Sequence, residues 1–237
     1  MKFSQSTLAI LKNFSRINSS IMLSKGNTIL TSAVNSTIFA EGTVDSSIDM
    51  DVGIYDLNQF LSIMSLMGED AEVVHDETKG LIVIKNDIST INFDSADPQT
   101  IVYPKKAIQF PDAQVVFELK SSEYSQLFKV CRSMKIDTLC INNQNDKIVI
   151  TGYKKSTDDS FKKPIYQSVV GEFEGDDDHK FEFYINMDNI KDLLESDYTI
   201  HLFGKQAPDG TYRFAAKFEG SQVSYVVVME EFSSINF

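Results

Sequence analysis

MKFSQSTLAILKNFSRINSSIMLSKGNTILTSAVNSTIFAEGTV, residues 1–44, holds the unit from which the whole chain is built. MKFS is a short strand candidate. Behind it Leu8, Ile10, Leu11, Phe14 and Ile17 recur at helical spacing, which predicts a helix over about Gln5–Ile17. Three strand candidates follow, SSIMLS, NTILTSAV and TIFAEGTV, with turn residues in SKGN and VNS between them. The order is strand, helix, then three strands joined by hairpins.

The same order returns three times. SIDMDVGIY is a strand, DLNQFLSIMSLM a helix with Asp56 placed to cap it, and DAEVVHD, GLIVIKN and ISTINFDS are strands. The stretch ADPQTIVYPKKAIQFPD, residues 96–112, then brings Pro98, Pro104 and Pro111 together. Proline fixes φ and removes a donor, so this stretch reads as an extended connector. Beyond it come strand QVVFELK, helix SSEYSQLFKVCRSMK, and strands DTLCINNQ, KIVITGYKK and PIYQSVVGEFEG. The last copy is strand KFEFYIN, helix MDNIKDLLE, and strands DYTIHLFGK, TYRFAAKFEG and QVSYVVVMEEF. A repeated block of this kind cannot bury its apolar face alone. Two blocks together make one α+β domain, with helices on one face of antiparallel sheets. The expected organisation is two similar domains, residues 1–97 and 113–237, joined by a connector at 98–112.

Charge is distributed unevenly. The chain has 34 acidic and 22 basic residues, a net charge of −12, which excludes a general nucleic-acid coat. Residues 1–40 nevertheless contain Lys2, Lys12, Arg16 and Lys25 and no carboxylate side chain. At about 100° per residue, Gln5, Ala9, Lys12 and Arg16 fall opposite the apolar side of the first helix. In the third helix Tyr124, Leu127, Val130, Cys131 and Met134 share one side. Ser122, Ser125, Lys129 and Arg132 lie opposite, with Lys135 at the shoulder. Lys12 and Lys129 occupy equivalent places, and Tyr55 and Tyr184 form a weaker echo before the second and fourth helices. One basic helix face is ordinary solvation; two equivalent ones point to a positive surface. The second helix instead exposes Asn58, Ser62 and Ser65. The fourth exposes Asp188, Asp192 and Glu195 beside Lys191.

No catalytic signature accompanies this pattern. A G-x-x-x-x-G-K-[ST] phosphate loop and a G-x-S-x-G elbow are both absent, and His75, His179 and His201 lack metal-ligand spacing. GDDDHK, residues 175–180, lacks the spaced acids of a calcium loop and reads as a solvated turn. Cys131 and Cys140 fall at apolar positions and read as buried, reduced thiols. No apolar run approaches the roughly 20 residues of a membrane span. The N-terminus lacks the centre of a signal peptide, so an intracellular, non-enzymatic protein without cofactor or metal is expected.

With the repeat, connector and basic helices established, the chain resembles the sliding clamps of T-even-like bacteriophages, DNA polymerase processivity factors. The resemblance rests on LKNFSRINSSIML, AVNSTIFAE, DVGIYDLNQFL, DPQTIVYP, IDTLCI, KIVITGY, INMDNIK and AAKFEG, in order over nearly the whole length. It implies a closed head-to-tail ring of three two-domain subunits, with helices lining the hole, sheets outside and duplex DNA threaded through. It places Lys12, Arg16, Lys129, Arg132 and Lys135 near phosphates, with Lys2, Lys120 and Lys191 adding to them. The implied partners are the DNA polymerase, the clamp-loader ATPase, late-transcription factors and further copies of the chain, in the cytoplasm of the infected bacterial host. Partner tails would dock beside the connector, on Ile101, Val102, Tyr103, Ile108 and Phe110 with Val226 or Val228. The same apolar residues also read as pins holding the connector to the core. A β-rich, self-associating viral structural or scaffolding protein is the rival expectation; it explains the sheets but not the paired basic faces.

Overall fold

Ser4 ends the extended N-terminus and starts the first helix. Its hydroxyl accepts the Thr7 N–H at 3.1 Å, and α1 runs Gln5–Ile17. Asn18 closes the helix, its own N–H donating to the Phe14 carbonyl at 2.9 Å. The structure is a computed structural model that describes every residue except Asp158, Asp159, Asp177, Pro208 and Asp209. It divides into two units, Met1–Ile108 and Gln109–Phe237; the division falls within residues 98–112.

In the first unit α1 is followed by β1 (Ile21–Leu23), β2 (Gly26–Ser32), β3 (Ile38–Ile48), β4 (Val52–Ile54), α2 (Leu57–Met67), β5 (Glu72–Asp76), β6 (Leu81–Lys85) and β7 (Thr90–Asp94). β1 pairs with β4, β2 with β3, and β5–β6–β7 form a meander, all antiparallel. Ile10, Leu11 and Phe14 are buried where α1 packs on β3 and α2. Leu57, Phe60, Met64 and Met67 form the buried side of α2, and Phe60 meets Phe3 and Phe93 edge to face. Asp56 caps α2 as expected, accepting the Gln59 N–H at 2.8 Å.

The second unit contains β8 (Val115–Leu119), α3 (Ser121–Met134), β9 (Thr138–Gln144), β10 (Lys147–Tyr153), β11 (Tyr166–Glu172), β12 (Lys180–Asn186), β13 (Tyr198–Gln206), β14 (Tyr212–Glu219), β15 (Val223–Val228) and β16 (Ser234–Asn236). One antiparallel sheet has the order β11-β10-β9-β12-β16; in the other, β15, β14, β13 and β8 are successive neighbours. Tyr124, Leu127, Phe128 and Cys131 bury one side of α3, with Tyr124 stacked on Phe128 and its ring against Tyr198.

Four local expectations are corrected. MKFS is not a strand: Met1 exchanges two 2.8 Å bonds with Val73, but Ser4 is already committed to capping. SIDMDVGIY is broken after Ile48, where the Asp51 carboxylate accepts the Lys25 N–H at 2.9 Å; the chain resumes as β4. Met134 is 50% exposed, because Lys135 takes the left-handed conformation and ends the helix there. Residues 187–195 form no α-helix, only a 3-10 turn at Met187–Asn189. The backbone beyond that turn is satisfied by tyrosines. Tyr124 Oη donates to the Leu193 carbonyl at 3.1 Å, Tyr225 Oη accepts the Leu194 N–H at 3.3 Å, and Tyr198 Oη donates to the Leu194 carbonyl. A short segment gains little from a helix it would have to nucleate when its polar groups already have partners.

Gly42, on β3, permits the close approach of α1: a Cβ there would stand 2.8 Å from Ile10 Cγ2 and 3.3 Å from Phe14 Cζ. Gly42→Ala is expected to destabilise the protein by about 1–3 kcal/mol through overpacking, measured by urea unfolding.

Candidate nucleic-acid interface

The exposed side of α1 carries Gln5, Ala9, Lys12 and Arg16, as the helical spacing requires. That of α3 carries Lys129 and Arg132, with Lys135 exposed at its end. Arg16, Arg132 and Lys135 lie at helix C-termini, where a cation also complements the helix dipole. Lys12 and Lys129 lie within their helices, so this end effect does not account for them. Lys12, Lys129, Arg132 and Lys135 make no ion pair among the described residues.

The other three candidate cations each have an acidic partner. Lys2 pairs with Asp70 at 3.1 Å, Lys120 with Glu118 at 2.6 Å and Lys191 with Asp188 at 2.7 Å. Hydrogen bonding to those carboxylates raises the Lys120 and Lys191 ammonium groups above their ordinary pKa, and each pair presents little net charge. α2 exposes Asn58, Ser62 and Ser65, together with Gln59 and Leu66. Among the helices, exposed cations without an acidic partner among the described residues therefore lie on α1 and α3.

Carboxylates gather at the opposite helix ends. Asp45 accepts hydrogen bonds from Ser4 Oγ at 2.6 Å, Ser6 Oγ at 2.8 Å and Thr7 Oγ1 at 3.3 Å, at the N-terminus of α1. The Ser4 and Ser6 hydroxyls hold its carboxyl below the usual range. At the start of α3, Glu123 accepts the Lys120 N–H at 2.9 Å and Asp197 the Ser121 N–H at 2.7 Å.

The candidate pocket residues take different environments within their own units. Ile101 is buried, and a Cβ on Gly53 would stand 3.2 Å from its Cδ1, so it pins the connector to the first unit's core. Asn18 Nδ2 donates to the Val102 carbonyl at 3.0 Å, while the Val102 side chain is exposed. Tyr103 is half-buried along a cleft shared with Met22, Lys25 and Leu30, and Ile108 is exposed. In the second unit Phe110 meets Phe203 edge to face at 6.3 Å. Cross-strand pairing sets Phe203 opposite Ala215 and Ala215 opposite Val228; the next row is His201, Lys217, Val226. Phe203 and Ala215 were missed in the sequence. The signal was available: in DYTIHLFGK the outward alternate positions run Thr199, His201, Phe203, placing an aromatic where a solvated face calls for a polar residue.

Burial pushes the Cys131 thiol up to about 11 and the Cys140 thiol up to about 12, leaving both unreactive at neutral pH. The three histidines stay separate. His179 lies 3.7 Å from Asp176, and His201 is 2.9 Å from Glu219. No His, Cys, Asp or Glu cluster among the described residues is arranged to hold a metal; the turn at 175–180 includes Asp177, which lies outside them. No described helix is long and apolar enough to cross a membrane.

A family described as DNA polymerase processivity factor matches residues 2–103, and one described as gp45 sliding clamp, C terminal, matches residues 116–231. The chain is 47% identical to the sliding clamp of Escherichia phage RB69 and 44% identical to that of Enterobacteria phage T4, with the whole of each chain covered. It is also similar in fold to the proliferating cellular nuclear antigen of Entamoeba histolytica. That match has a TM-score of 0.64 and 10% identity, and covers 94% of both chains.

Asp45→Asn is expected to lower the melting temperature at neutral pH. A carboxyl held below its ordinary value of 3.8 stabilises fully above that value and loses its effect as pH falls through the lowered one. The gap in melting temperature between wild type and variant should therefore narrow on acidification below pH 3.8, as read by a pH series of thermal melts.

Proposed function

The chain belongs to the sliding-clamp family of DNA polymerase processivity factors, and we propose that it works as a closed ring of three copies threaded by duplex DNA. The observation that carries the DNA-facing assignment is the pair of interior-helix lysines, Lys12 and Lys129, exposed and without acidic partners among the described residues in a chain of net charge −12. In this reading α1 and α3 line the hole. Arg16, Arg132 and Lys135 share the phosphate contact, and Lys2, Lys120 and Lys191 contribute less because each has its carboxylate. Such contacts are salt-sensitive and blind to sequence. The ring supplies the permanence, so each contact can stay weak enough for sliding.

Ring closure requires strand edges that remain open. In the β5–β6–β7 meander the outer side of β5 is engaged by Met1, which leaves β7. In the five-stranded sheet β16 is only three residues long, whereas β11 has seven. We assign β7 of one copy to pair with β11 of the next, a heterologous contact whose rotation closes the ring. Residues 1–97 and 113–237 act as the two domains of each copy and 98–112 as their connector. The apolar row Phe203–Ala215–Val228 beside Phe110 receives the tails of the polymerase, the clamp-loader ATPase and the late-transcription factors in the host cytoplasm. The protein adds no chemistry of its own.

Lys12→Glu combined with Lys129→Glu should shorten the products of primer extension several-fold per binding event while leaving assembly intact; unchanged processivity would overturn the assignment. Sedimentation at micromolar concentration should give close to three times 26.7 kDa. A stable monomer or dimer contradicts closure.

A further inference from the structure

The β13–β14–β15 face turned away from α3 is ordered by charge as well as by polarity. Along β13 the outward residues are Thr199, His201, Phe203 and Lys205, paired across to Glu219, Lys217, Ala215 and Arg213. One end carries balanced charges, the middle is apolar and the other end is basic, over about 20 Å at the usual strand rise. The acids of the balanced end are internally satisfied. Glu219 accepts from Lys217 at 2.7 Å and lies 2.9 Å from His201, while Glu118 on β8 holds Lys120 at 2.6 Å. Lys205 and Arg213 are exposed and make no ion pair among the described residues. In a chain with an excess of 12 acidic charges, two adjacent cations without an acidic partner among the described residues, beside an apolar row, are a selective feature.

We propose that Lys205 and Arg213 form an acid-reading subsite next to the apolar row. The partner segment that docks here places an apolar side chain among Phe203, Ala215 and Val228, and a carboxylate against the Lys205–Arg213 pair. The proposal rests on the reading of this row as the tail-docking surface and adds the chemistry and direction of the tail. The cations choose the acidic tail and speed its encounter, because charges at an interface rim act on association rate and salt dependence. The apolar row holds it.

The test measures binding of the cognate replicative DNA polymerase to the whole clamp at low and high salt. It compares wild type, the double variant Lys205→Glu/Arg213→Glu, and Val228→Asp, each first checked for native mass and melting temperature. Wild-type affinity should fall as salt rises. The double charge reversal should lose roughly tenfold at low salt and flatten that dependence; Val228→Asp should lose affinity at both salts. If Val228→Asp weakens binding while the charge reversal changes neither affinity nor salt dependence, the acid-reading subsite is wrong and the docking row stands. If neither variant weakens binding, the docking row falls and takes the subsite with it.

Discussion

An amphipathic helix can press only one side against a sheet, and that constraint decides where the cations of this protein point. Ile10, Leu11 and Phe14 are all buried, as are Leu127, Phe128 and Cys131 on α3. Burying one large apolar side chain is worth about 1.5–3 kcal/mol, whereas an exposed ion pair contributes about 0–1 kcal/mol. Packing therefore wins over any local electrostatic preference. Once the apolar sides are inside, Lys12, Arg16, Lys129 and Arg132 have no orientation left but outward.

The same packing explains how an acidic protein can present cations on two helix faces. Acids are kept to helix N-termini, where Asp45, Glu123 and Asp197 satisfy backbone or hydroxyl donors, and to strand faces and turns. On the proposed inner surface Lys12 and Lys129 have no acidic partner among the described residues, so their attraction for phosphate is not spent on those residues. On the outward sheet face of the second unit the pattern differs: an apolar row lies between satisfied acids and two cations that have no ion pair among the described residues. One surface suits a uniform polyanion, and the other suits a segment with a direction.

Much of this was legible in the sequence because it depends on period. The 3.6-residue pattern placed α1 at its observed limits, and alternation with turn residues located most strands. What escaped depends on partners far away in the chain. The segment after Met187 has a helical pattern, yet hydroxyls of Tyr124, Tyr198 and Tyr225 take its backbone groups. β16 exists only because β12 offers an edge to Ser234–Asn236. At the candidate site helical position gives the exposed cations of α1 and α3, but not the Lys2–Asp70 pair, whose members lie 68 residues apart; Glu118 and Asp188, only two and three residues from Lys120 and Lys191, were within reach of a local reading. The connector shows the reverse limit: Ile101 and Val102 are adjacent, yet one side chain is a core pin and the other is exposed.

Encirclement is the central claim, and topology offers the most direct measurement. Labelled clamps are loaded on a nicked circular duplex, freed of loader, and their retention is followed before and after a single restriction cut. Encirclement expects stable retention on the circle and rapid loss through the new ends after cutting. Equal retention on circular and linear DNA would mean that adhesion holds the protein, and would contradict the account.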